Sequence, residues 1–153
     1  MTDLAIARGL HVLAVVVWIG GVAMSTSVLL PGLERAERGA EVFRELELRF
    51  AAQARWILVV TGLSGAYLVW RMALWGRFAE ARFWWMHAMV ILWLLYALAL
   101  FVLEPLLLRR RFAERAQRDP AGALARLRRH HWLVVAISLA TVFAAAAGSH
   151  GLL

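Results

Sequence analysis

Four apolar runs, each long enough to cross a bilayer, constrain this chain more than any other feature. They cover about residues 4–30, 56–74, 83–108 and 132–153. Roughly 20 apolar residues in a helix reach across the hydrocarbon layer. Hydrophobic residues make up 63% of the chain and its mean hydropathy is +0.69, where a soluble domain is nearer half apolar. In lipid the backbone must satisfy its own hydrogen bonds, so the runs are expected to be helices. The expected fold is all-α, an integral membrane four-helix bundle forming one domain over residues 1–153. The first run does not resemble a cleavable signal, since it is too long, begins beside Asp3 and has no obvious small-residue cleavage site.

Between the first two runs the chain is charged. Glu34, Glu37, Glu41, Glu45 and Glu47 alternate with Arg35, Arg38, Arg44 and Arg49, while Val42, Phe43, Leu46 and Phe50 form an apolar stripe. Opposite charges three or four apart favour a helix. This predicts a short amphipathic helix lying on the membrane surface between spans one and two. Trp84 and Trp85 suit an interface. Gly62 and Gly65, and the run from Ala144 to Gly148, suit close helix approach.

The net charge of +7 comes from arginine alone, because lysine is absent. Arginines crowd the segments after spans one and three, including Arg109, Arg110, Arg111, Arg126, Arg128 and Arg129. The positive-inside rule makes those segments cytoplasmic. The expected location is therefore the bacterial inner membrane, with both termini facing the periplasm. The arginines border apolar spans, so their expected partner is anionic lipid and not nucleic acid. Without cysteine there is no disulfide, iron–sulfur cluster or covalent haem attachment. Without lysine there is no Schiff-base chemistry.

Three histidines stand near the outer ends of different spans. His11 is roughly 10 Å into span one, His87 roughly 6 Å into span three, and His150 lies in the last turn of span four. Ionisable rings at membrane depth usually mark a site. Two imidazoles from facing helices bracket a haem, and histidine with thioether sulfur suits Cu(I). Trp18 lies two turns deeper than His11 on one helical face, followed by Gly20 and Gly21, where a flat group has clearance. Met86 and Met89 flank His87. Each feature also has a plainer origin, in helix packing, interface anchoring or an interhelical hydrogen bond. His130 and His131 are cytoplasmic, and Glu104 is expected to pair with arginine and end the third span. Phosphate-loop and hydrolase motifs are absent.

The stretch LHVLAVVVWIGG, Leu10–Gly21, resembles the first span of CopD-type copper-resistance membrane proteins and HemJ-type protoporphyrinogen oxidases. There, histidine is followed seven residues later by tryptophan and then a small pair, positions held here by His11, Trp18, Gly20 and Gly21. WWMHAMVILWLLYALALF is similar to the third span of the same group and places His87 at its functional position. The HemJ-type resemblance implies a b-type haem and a third-span lysine. Met89 stands in the lysine's place, which argues against protoporphyrinogen oxidation. The CopD-type resemblance implies copper movement through the inner membrane.

The first expectation is a membrane-embedded haem b protein with a redox or electron-transfer role near the periplasmic face, so that any enzyme activity would be that of an oxidoreductase. His11 and His87 are the first axial pair, His150 is the alternative ligand, and Trp18, Gly20 and Gly21 line the pocket. A quinone or a periplasmic redox protein would exchange electrons. The alternatives are Cu(I) handling by His11, His87, His150, Met86 and Met89, and a metal-free accessory subunit of a membrane complex. A homo-oligomer is compatible with each.

Overall fold

The computed structural model describes residues 2–150. Its long helical stretches are α1, Thr2–Glu34; α2, Gly39–Arg71; α3, Ala81–Arg118; and α4, Pro120–Ser149. No strand occurs among the described residues. α1, α3 and α4 are long and apolar enough to cross a membrane. α1 and α2 run antiparallel. Asp3 meets Tyr67 and Arg71 at one end, His11 meets Ser64 midway, and Gly21 approaches Phe50 further along.

Both interior prolines are absorbed without ending a helix, contrary to the boundaries expected at Pro31 and after Glu104. A helical proline lacks an N–H and crowds the carbonyl four residues back. Ahead of Pro31 the backbone widens to π register over Ser25–Leu29, and around Pro105 it does so over Ala99–Leu108. The wider register relieves the crowding. Thr26 and Ser27 donate their hydroxyls to the carbonyls of Val22 and Ala23, at 2.7 Å each.

The charged segment after α1 is helical, but it is not a separate surface helix. It continues without a break into the second apolar run, so that Gly39–Arg71 is one helix of 33 residues. Phe43, expected on a lipid-facing stripe, is instead buried against Leu30 and Leu124. α2 can start this close to α1 because position 39 is glycine: a Cβ there would fall 1.8 Å from the Leu33 carbonyl oxygen. α4 likewise begins earlier than residue 132. Asp119 caps it through the Gly122 N–H at 2.9 Å, and Pro120 supplies a preset first turn. Arg126, Arg128 and Arg129 are therefore helical, and Arg128 bonds Glu34 at 2.7 Å. The expected end of the fourth span at 151–153 lies outside the described residues.

The interior is mostly apolar with a few buried polar residues, and large apolar side chains also cover the outside. On α2, Trp56, Leu63 and Trp70 recur every seven residues and are 74%, 69% and 63% exposed, while Thr61 and Ser64 are buried. The central core is Trp18, Ile19, Leu58 and Val135, with Trp93 and Tyr96 against it. A second cluster, Trp85, Met86 and Ala144, packs against Leu74, Phe78 and Phe83. Gly62 lets the Trp93 indole approach α2 closely, since an added Cβ would meet that ring at 2.5 Å.

Candidate functional site at His11

His11 belongs to the inward stripe of α1, in register with buried Ala7, Ala14 and Trp18. Its Nδ1 lies 3.1 Å from the Thr61 carbonyl oxygen and 3.1 Å from Ser64 Oγ. A carbonyl can only accept, and the Ser64 hydroxyl already donates to the Val60 carbonyl at 2.6 Å. Nδ1 therefore carries the proton, and the uncharged form of the ring has its lone pair at Nε2. A histidine that ligates a metal is oriented in this way, with one ring nitrogen bonded to backbone and the other left as donor to the ion. Gly65 makes room for the ring, because a Cβ there would meet its Cε1 at 3.1 Å.

His87 is placed differently. It lies in the second turn of α3, and its Nε2 donates to the Phe78 carbonyl at 3.1 Å. The Phe78 ring stands edge-on to the imidazole, with centroids 5.3 Å apart. His150 is exposed just beyond α4. The three histidines share one end of the helices but do not form a cluster: among the described residues, no group of three or more histidine, cysteine or acidic side chains is placed to hold a metal ion. Met86 is buried and Met89 packs beside it in the apolar cluster around Trp85, where they fill space. The packing therefore lends the five-residue copper relay no support.

Trp18 is buried edge-to-face against Tyr96, with ring centroids 4.5 Å apart. Its indole N–H has no hydrogen-bond partner. Gly20 faces open space and is exposed, whereas Gly21 abuts Phe50. Only Gly21 touches the cavity beside Trp18, which measures about 40 Å³ and also borders Gln53 and Ala54. That volume suits water, whereas sites for cofactor-sized ligands run to about 300–1,000 Å³. A larger cavity of about 250 Å³ lies at the opposite tip, beside Leu33, Glu37 and Asp119, away from the histidines. The donor chemistry of His11 thus fits a haem iron, but the cavity beside Trp18 is too small for the macrocycle.

Several polar partners inside the bundle escaped the reading of the sequence. Thr61 and Ser64, three apart on α2, orient His11. The Tyr96 hydroxyl donates to Ser138 Oγ at 3.2 Å, since the Ser138 hydroxyl is itself given to the Val134 carbonyl at 2.7 Å. Trp85 is buried with its indole N–H unpaired. The only available signal was a polar residue breaking an apolar run.

Comparison of the chain with protein-family models, curated proteins and solved structures gives no match.

Proposed function

We propose that the chain is a four-span integral protein of the bacterial inner membrane, with both termini periplasmic, in which His11 ligates haem b for a redox role near the periplasmic face. The observation that carries this reading is the fixed tautomer of His11, whose uncharged form has its lone pair at Nε2, on the inward stripe of α1. The haem supplies one-electron chemistry when bound. Thr61 and Ser64 hold the ring against rotation and keep the proton on Nδ1. His87 would be the second residue to hold the haem, with its Nε2 released from the Phe78 carbonyl. Because the cavity beside Trp18 measures only about 40 Å³, binding there entails a wider separation of the helices. A quinone or a periplasmic redox protein is the electron partner.

The fourth span in this reading is the outer part of α2. Between Arg55 and Arg71 it has 15 residues without charge, about 22 Å of helix. Its exposed stripe of Trp56, Leu63 and Trp70 suits lipid, with tryptophan at each interface.

The test is a dithionite-reduced minus oxidised spectrum of detergent-purified protein from haem-replete cells, with iron and copper analysis. A sharp b-type α band with stoichiometric iron, lost in His11→Ala, is the expected result. Absence of the band from the wild type overturns the reading.

A further inference from the structure

The outer end of the helices is closed by the connection between α2 and α3. Residues 72–80 turn sharply at Ala73, whose φ of 52° lies in the left-handed region that residues with a Cβ avoid. They then form a 3-10 turn, Leu74–Ala79, and an extended residue at Glu80. A 3-10 turn has poorer hydrogen-bond geometry than an α-helix. Leu74 and Phe78 press down on Trp85 and Met86.

Arg8 reaches the Met72 sulfur at 3.9 Å, Arg77 lies over the Phe83 ring at 4.8 Å and Glu80 pairs with Arg82 at 2.7 Å, while the stretch between is held to α3 by a hydrogen bond from His87. His87 bonds the Phe78 carbonyl through Nε2 and stacks edge-on with the Phe78 ring. Among the described residues no other side-chain hydrogen bond ties residues 74–79 to a helix. Directly beneath, Trp85 is 6% exposed and its indole N–H has no acceptor. An unpaired buried donor is costly and uncommon, and it is satisfied when a ligand brings an oxygen. The neighbouring wall is made of small residues: Ala144 and Ala145 pack there, and Gly148 leaves room for the indole, whose nitrogen would be 2.2 Å from an added Cβ. Met86, flexible and easily repacked, fills the remaining space.

We propose that residues 72–80 form a lid, pinned by His87, over a binding site at the outer end of the helices for an apolar molecule that offers an oxygen acceptor to the Trp85 indole N–H. A haem carboxylate and a quinone carbonyl share that chemistry. The lid stands on its own contacts, and only the identity of the occupant rests on the haem reading. When the lid lifts, the same motion frees His87 Nε2 from the Phe78 carbonyl and uncovers Trp85.

The chain lacks cysteine, so a single introduced thiol reports cleanly. Met86→Cys, beneath the lid, is reacted with a water-soluble maleimide in detergent. Labelling is expected to be slow, and about tenfold faster when His87→Ala removes the pin. His87→Gln, which keeps a donor for the Phe78 carbonyl, should stay slow, and Phe78→Ala serves as a second opened form. Protohaem or decylubiquinone, added to the Phe78→Ala form, which keeps His87, should slow labelling again. Equal rates with and without His87→Ala overturn the pin, and failure of both molecules to protect overturns the site. Protection by the quinone alone supports the lid and site with a quinone as occupant, while the haem reading stands or falls on its own spectrum, so the two ideas fail separately.

Discussion

Arg55 donates its Nε–H to the carbonyl oxygen of Leu100 at 3.0 Å. Leu100 lies five residues before Pro105, within the π-register segment of α3. In that register a residue donates to the carbonyl five back, and proline has no proton to give. The arginine of one helix therefore fills the backbone vacancy made by the proline of another. The same guanidinium pairs with Glu104, a carboxylate 4% exposed, which Arg109 also binds.

Removing Arg55 strips one partner from a buried carboxylate and uncaps the Leu100 carbonyl. Arg55→Ala is expected to cost about 3 kcal/mol. Glu104→Gln should cost less, because both arginines keep an oxygen acceptor. Thermal unfolding in detergent measures both, and a wild-type melting temperature in Arg55→Ala would remove the argument.

Two glycines in apolar runs should respond oppositely to alanine. Gly62→Ala drives a methyl into the Trp93 ring and should destabilise by about 1–3 kcal/mol, outweighing the better helix propensity. Gly20→Ala meets nothing within 4 Å and should gain up to about 1 kcal/mol from propensity alone. Equal effects in the same unfolding assay would contradict the packing described at α2 and α3.

Ser138 is fully buried and accepts from the Tyr96 hydroxyl. Ser138→Ala leaves that hydroxyl without a partner, and the expected loss is about 1–3 kcal/mol. The double variant with Tyr96→Phe should recover most of it, since both polar groups are then gone. A double variant no more stable than Ser138→Ala would show that the pair contributes nothing.

Glu47, outside the apolar spans, has its carboxyl raised above the usual range by burial and by neighbouring Glu104, with Arg109 opposing. The folded chain thus holds this proton at a pH where the unfolded chain has released it. Stability from this group is complete below the ordinary carboxylate range, and it declines as pH rises through the raised folded value. Melting temperature should fall across that weakly acidic window in the wild type. The slope should flatten in Glu47→Gln, and an unchanged slope would exclude Glu47 as its source.

The sequence by itself determined the helical character of the chain and where its apolar runs lie, because hydrocarbon-length runs leave the backbone few choices. It also marked His11, since a histidine inside such a run is conspicuous. Boundaries were less legible. Proline and dense charge ordinarily end or separate helices, yet Pro31 and Pro105 are absorbed by π register, and Phe43 finds core contacts that join a charged segment to α2. Helix rotation was hidden as well, because nearly every face of these runs is apolar and periodicity carries no signal. Only the tertiary structure decided that Gly20 faces outward while His11 faces Ser64, that His87 bonds Phe78, and that Arg55 meets Glu104. Those outcomes depend on which faces of neighbouring helices meet, a relation between residues as many as 53 apart in the chain that local spacing does not encode.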